Sequence, residues 1–187
     1  MVKALVPVAD GFEELELISI VDILRRANIN VTLASVTHNK QVKGAHQIVV
    51  SADALFDEVK DQEYDLVVCA GGMDNAKTLG SNQGVIARFK RQKESGKLYA
   101  AICASPKLVL EANGLLEGVQ ATGYPGLDLH DRSMENHNVV VSHNCVTSKA
   151  PGTALEFSLK LVEVLCGAEK AAHVAKDACF KHPTQAH

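Results

Sequence analysis

No apolar run in this 187-residue chain approaches the roughly 18 residues that a membrane-spanning helix needs. Basic charge is not in excess either: 19 Lys and Arg stand against 22 Asp and Glu, a formal charge of −3. With no basic stripe interleaved with aromatics, that balance argues against a general affinity for nucleic acid. Neither GxxxxGK[ST] nor GxGxxG occurs, which removes the two common phosphate-cradling loops. The eight histidines include no HExxH pair and no Cys/His spacing suited to zinc, so no metal site is expected. Five cysteines, Cys69, Cys103, Cys145, Cys166 and Cys179, are odd in number and irregularly spaced. They outline no disulfide scaffold and suit reduced thiols.

A mass of 20.0 kDa, 47% apolar residues and a mean hydropathy of +0.02 describe a soluble globular protein. The size predicts one domain over residues 1–187 with a substantial core. Met1 runs directly into a strand-like Ala4-Leu5-Val6-Pro7-Val8, leaving no room for a cleavable leader, so a cytoplasmic address is expected.

Strand and helix patterns alternate along the chain. Strands are predicted at Lys3–Val8, Asn30–Ser35, Leu66–Ala70 and Leu98–Cys103, the last two as continuous apolar runs typical of buried parallel strands. Val42 and Ile48–Val50 suggest a short hairpin or edge pair, and Ala54–Val59 a short helix or turn. After the first strand, Leu15, Ile18, Val21 and Leu24 mark a helical face. Further helices are expected over Asn82–Gln92 and Ser105–Ala112, from Pro151 onward with Leu155, Leu159, Leu161, Val162 and Leu165, and over Ala168–Ala178. Leu116–Asn138 reads as loop around one short helix, Val139–Ser142 and Cys145–Thr147 as paired strands, and 182–187 as a frayed tail. This order predicts a three-layer α/β/α sandwich around a mostly parallel sheet.

Ligands of such sheets bind beyond the carboxyl ends of the strands. Cys103 ends one apolar run, and a helical pattern opens two residues later. A thiol there either packs as a structural core residue or faces helix N–H groups that favour thiolate. Gly71-Gly72 follows another run; it either makes a tight turn or lets backbone donors approach a ligand. If the strands ending near Val8, Ala70 and Cys103 are neighbours, the N–H groups of Gly72 and Ala104 suit an oxyanion hole beside Cys103, with Met73 close by. Glu13, Glu14 and Glu16 either complement a helix dipole at the surface or include one carboxyl set against the thiol. A desolvated, protonated glutamic acid would donate to a thiolate in that position. Among the histidines, His46, His130, His137 and His143 lie in or beside loops. Tyr124, before Pro125, either covers the pocket or packs beside it.

Across nearly its whole length the chain resembles the ThiJ/PfpI superfamily, in particular the Parkinsonism-associated deglycase branch and its bacterial ThiJ-like relatives. The resemblance rests on Gly11-Phe12-Glu13-Glu14-Leu15-Glu16, Val21-Asp22-Ile23-Leu24-Arg25-Arg26-Ala27, Ala70-Gly71-Gly72-Met73, Ala100-Ala101-Ile102-Cys103-Ala104-Ser105-Pro106 and Ala150-Pro151-Gly152-Thr153-Ala154-Leu155-Glu156-Phe157, in that order and spacing. It implies a flavodoxin-like, class I glutamine amidotransferase-like sandwich and a homodimer. The family's oxidation-sensitive nucleophile maps to Cys103, its protonated partner to Glu16, and its anion-binding N–H groups to Gly72 and Ala104, with Gly71, Met73, Tyr124 and Pro125 around the pocket. Four positions depart from the family pattern. Tyr124 stands where many animal members carry a histidine, and His46 replaces an arginine of the neighbouring-subunit contact. Gly44 occupies the place of a second, interface cysteine in some relatives, and Ala150 that of a glycine.

The function this resemblance implies is a cofactor-independent cysteine enzyme acting on reactive dicarbonyls or glycated adducts under oxidative and carbonyl stress. It would be a glyoxalase making lactate from methylglyoxal, a deglycase, or both. The alternative is a redox-sensing cysteine protein with a chaperone-like protective role. A protease is disfavoured, because distant relatives with that activity carry histidine directly after the cysteine and this chain has Ala104.

Overall fold

The computed structural model describes residues 1–181; the tail 182–187 lies outside the described residues. In chain order the strands are β1 (Lys3–Val8), β2 (Asn30–Ser35), β3 (Gln41–Lys43), β4 (Val49–Ser51), β5 (Ala54–Leu55), β6 (Leu66–Cys69), β7 (Leu98–Ile102), β8 (Val139–Ser142) and β9 (Cys145–Ser148). The helices are α1 (Glu14–Arg26), α2 (Phe56–Val59), α3 (Met73–Ser81), α4 (Gln83–Ser95), α5 (Ala154–Cys166) and α6 (Ala168–Asp177).

Seven strands form one sheet in the order β5-β2-β1-β6-β7-β9-β8, parallel throughout except for β8. The central strands are buried on both faces, which is why Leu66–Cys69 and Leu98–Ile102 are apolar without alternation. Helix α1 packs on α5, and α5 on α6, while α4 lies against β6 and β7. Right-handed crossovers from β1 to β2 and from β6 to β7 run in opposite directions along the sheet, so their helices cover opposite faces. The result is the expected flavodoxin-like α/β/α sandwich. β3 and β4 pair antiparallel as a separate hairpin.

Because β1, β6 and β7 are adjacent and parallel, the segments leaving Val8, Cys69 and Ile102 emerge together at one edge of the sheet. That juxtaposition creates the site.

Three expectations need correction, and one helix was not expected. Of the predicted face of α1, Val21 and Leu24 are buried, but Leu15 is 64% and Ile18 49% exposed. Glu16, Leu17, Ile20, Ile23 and Leu24 turn inward with Val21. The helix is apolar on more than one side, so periodicity alone left its rotation open. Helix α3 was unforeseen, because only Ala76 and Leu79 bury apolar side chains along it. The segment after Cys103 is no regular α-helix but a π-helical turn, Pro106–Leu110, followed by a 3₁₀ turn, Glu111–Asn113. There the Leu108 carbonyl packs so closely on α3 that a Cβ at Gly80 would lie 2.1 Å from it. Finally, 116–138 contains turns but no helix, its Gly118, Gly123, Pro125 and Gly126 punctuating the chain too often for a helical turn to extend.

Candidate active site

Cys103 follows β7 in the left-handed region, with φ +65°. A non-glycine residue there carries about 1–3 kcal/mol of strain and stays only where its surroundings hold it. Both of its backbone groups are held: Cys103 N–H donates to Ser148 O (3.0 Å), and Tyr124 N–H donates to Cys103 O (2.8 Å). The strand exit is thus a fixed elbow, and the thiol turns toward β6 and α1.

Gly71 faces that thiol. A Cβ at Gly71 would lie 2.6 Å from Cys103 Cβ, 2.8 Å from Glu16 Oε2 and 3.0 Å from Cys103 Sγ. Only glycine lets all three groups meet. Gly72 adopts φ +83°, and a Cβ there would fall 2.1 Å from Gly11 O, so the loop also closes tightly on the exit of β1. Gly71 N–H donates to Glu16 Oε2 at 2.7 Å.

Glu16 is fully buried, and its Oε1 has no hydrogen-bond partner by distance and angle. Burial pushes this carboxyl up to about 7 despite the opposing bond from Gly71 and the contact with Cys103. Burial also pushes the Cys103 thiol up to about 12, the neighbouring Glu16 adding to the rise, while the backbone N–H groups of Gly72 and Ala104 work in the other direction. The two groups share one environment, so the first proton to leave near pH 7 belongs to the pair. When the resulting charge falls on sulfur, the backbone N–H groups of Gly72 and Ala104 favour it. A helix start was expected to lower the thiol's pKa; instead Cys103 is 7% exposed, no regular helix follows, and burial dominates.

The other two glutamates have different work. Glu13 Oε2 accepts from Glu16 N–H (2.9 Å), capping α1 and fixing where Glu16 starts. Buried Glu14 accepts from His46 N–H (2.6 Å) through Oε1, and its Oε2 pairs with His46 Nδ1 (2.8 Å). Burial works against the ionised Glu14, but the bonds from His46 prevail and hold its carboxyl below the usual range; the same contact raises His46. A Cβ at Gly44 would lie 2.3 Å from Glu14 Oε1, so glycine there makes room for this tie. Glu13, Glu14 and His46 are the one metal-compatible cluster among the described residues. Glu14 is already committed to His46 and one oxygen of Glu13 to the helix cap.

Met73 opens α3 beside Gly72 and is 44% exposed; Tyr124 is 46% exposed. With Pro125, Gly123, Arg132 and Lys149, Tyr124 lines a cavity of about 260 Å³ that adjoins the elbow but does not contain Cys103 or Glu16. Ala150 has extended backbone at φ −164°, which any residue adopts, so the departure from glycine there costs nothing. Two residues at the site escaped sequence reasoning. Ser105 Oγ donates to Ala70 O (2.7 Å), and buried Asn75 bonds to Ala9, Ala70 and Gly71. Asn75 belongs to no motif or periodic face, and Ser105, inside the motif around Cys103, carried no role in the sequence reading.

The chain is similar to known proteins over most of its length. The model of the DJ-1/PfpI family matches residues 2–164. Protein DJ-1 homolog A of Arabidopsis thaliana is 45% identical over 176 residues, covering 93% of this chain but 45% of that protein. The chain therefore spans less than half the length of this plant relative. Glutathione-independent glyoxalase DJR-1.2 of Caenorhabditis elegans is 34% identical, covering 94% of each protein. Among solved structures, oxidized Toxoplasma gondii DJ-1 superposes with a TM-score of 0.93 at 41% identity, covering 97% of this chain and all of that one. With a family model spanning most of its length and a matching fold, the chain belongs to the DJ-1/PfpI family.

Proposed function

We propose that this protein is a cofactor-independent cysteine enzyme that converts methylglyoxal and water to lactate. The observation that carries the reading is the buried pairing of Cys103 with Glu16 across Gly71. The name of the Caenorhabditis relative supports the choice of a dicarbonyl substrate. The Cys103 thiolate adds to the aldehyde carbon, forming a C–S bond and a hemithioacetal oxyanion that Gly72 and Ala104 N–H groups stabilise. The protonated Glu16 gives its proton to that oxyanion, and the resulting carboxylate takes the proton from the former aldehyde carbon and returns one to the neighbouring carbon, so that the hemithioacetal becomes a lactoyl thioester. Water cleaves the thioester, releasing lactate and the thiol. The net reaction consumes one water and no external oxidant. Deglycation of early dicarbonyl adducts would use the same attack.

The test is lactate formation from methylglyoxal by purified protein. Production well above that of an equal concentration of free thiol is expected; equality with free thiol would remove the assignment. A second reading, redox sensing through oxidation of Cys103, draws on the same thiol and on the oxidized state of the Toxoplasma relative. It would lead if no lactate formed while peroxide still modified Cys103.

We further propose a cytoplasmic homodimer of single-domain subunits, with the exposed Leu15 and Ile18 of α1 in an isologous interface. Two large apolar side chains on one helix surface suit a partner. Sedimentation equilibrium should give about twice 20.0 kDa at micromolar concentration, and a single 20.0 kDa species would contradict the dimer. Among the described residues no helix is long and apolar enough to cross a membrane.

A further inference from the structure

We infer that Asn75 is a positioning residue that aims two backbone donors at the reactive pair, an inference that rests on the proposed role of Cys103 and Glu16. Asn75 is the third residue of α3 and is fully buried. Its Oδ1 accepts from Ala9 N–H (2.8 Å) at the exit of β1, which fixes the orientation of the amide. Its Nδ2 donates to Ala70 O and Gly71 O, both at 3.0 Å, at the exit of β6.

The consequence follows from the planarity of the peptide bond. In a trans peptide the C=O and the next residue's N–H point in opposite directions, so holding one aims the other. Ala70 O takes bonds from Asn75 Nδ2 and Ser105 Oγ, and Gly71 N–H, on the same peptide, points to Glu16 Oε2. Gly71 O takes bonds from Asn75 Nδ2 and Glu13 N–H (3.2 Å), and Gly72 N–H, on that peptide, is one of the two backbone donors that favour the Cys103 thiolate. One side-chain amide therefore orients both peptides of a glycine pair, a segment with little stiffness of its own. Ser105 and Glu13 each hold one of these carbonyls. Asn75 holds both and anchors them to β1.

The test compares Asn75→Ala and Asn75→Ser with Asn113→Ala in the full chain. Asn113 Nδ2 also bonds two carbonyls, Gly80 O (3.1 Å) and Val109 O (2.9 Å), and serves as the structural control. The readouts are the rate of Cys103 alkylation by iodoacetamide against pH, melting temperature, and kcat and KM for methylglyoxal. A misdirected Gly72 N–H no longer favours the thiolate, so the alkylation profile should move to higher pH in the Asn75 variants. Labelling at a fixed pH below the midpoint should drop about 10-fold. kcat should fall about 10- to 100-fold with KM little changed, the mark of a lost transition-state donor. Asn113→Ala should lower the melting temperature without moving the profile. Asn75→Ser, which keeps a short donor, serves if the alanine variant does not fold. A folded Asn75 variant whose alkylation profile superposes on wild type overturns the inference. That profile needs no dicarbonyl turnover, so it separates failure of this inference from failure of the glyoxalase assignment.

Discussion

Cys103→Ser should reduce lactate formation to the level of protein-free buffer, a loss of at least about 10³-fold. Sulfur is required because the attacking species is a thiolate, and a serine hydroxyl ionises far less readily. Serine hydrolases overcome that with a neighbouring histidine, whereas the group set against Cys103 here is the carboxyl of Glu16. The substitution is small and the elbow is held by backbone bonds to Ser148 and Tyr124, so the fold should survive. Melting curves and a lactate assay on the same preparation check both halves. A serine variant within tenfold of wild type would mean that the reaction runs elsewhere.

Glu16 variants should show the second large effect, and they divide its roles. Glu16→Gln keeps the size, an acceptor for Gly71 N–H and a donor toward Cys103, but cannot move a proton. Lactate formation should fall on the order of 10²-fold or more, while alkylation of Cys103 persists. Glu16→Asp keeps the acid but shortens its reach, and about 1 Å of displacement costs about 10²-fold in a preorganised site. Full activity in Glu16→Gln would remove the proton-transfer role.

Stability should move the other way. The carboxyl of Glu16 is raised from 4.5 to about 7 in the folded protein, so the native state holds its proton more tightly than the unfolded chain does. Wild-type stability contributed by this proton is complete below about pH 4.5 and is lost as pH rises toward 7. Glutamine has no such loss. Relative to wild type, Glu16→Gln should therefore gain up to about 3 kcal/mol between acidic and alkaline pH. Denaturant titrations at pH 4.5 and 8 measure the difference; a stability gap unchanged by pH would contradict the raised carboxyl. A site residue whose removal stabilises the fold is what a functional carboxyl in a dry pocket entails.

The sheet was legible because buried parallel strands read as unbroken apolar runs, as in Leu66–Cys69 and Leu98–Ile102. The same runs located the Gly71-Gly72 and Cys103 corners beyond strand ends. Local pattern did not separate the glutamates: Glu13, Glu14 and Glu16 have the same chemistry, and their different fates depend on Gly71 and His46, far off in sequence. The family resemblance chose Glu16, and its burial against Gly71 gives that choice a physical basis. The rotation of α1 was hidden because Leu15 and Ile18 are as apolar as the residues facing the core. Asn75 was invisible because its Ala9 contact spans 66 residues and its helix lacks an apolar stripe. The π-helical turn after Cys103 packs against Gly80, a contact that local pattern does not report.

The most direct test of the account is competition among the five cysteines for limiting iodoacetamide, read by peptide mass spectrometry below neutral pH. Cys69 and Cys145 are sealed in the core, while Cys179 is exposed and Cys166 partly so. Accessibility alone ranks Cys179 first. The account predicts that Cys103 is labelled first despite being 7% exposed and despite the rise that burial causes, because only its thiol shares a proton near pH 7 with a buried Glu16 and has the Gly72 and Ala104 N–H groups favouring its thiolate. Labelling that follows exposure, with Cys179 modified and Cys103 untouched, would contradict it.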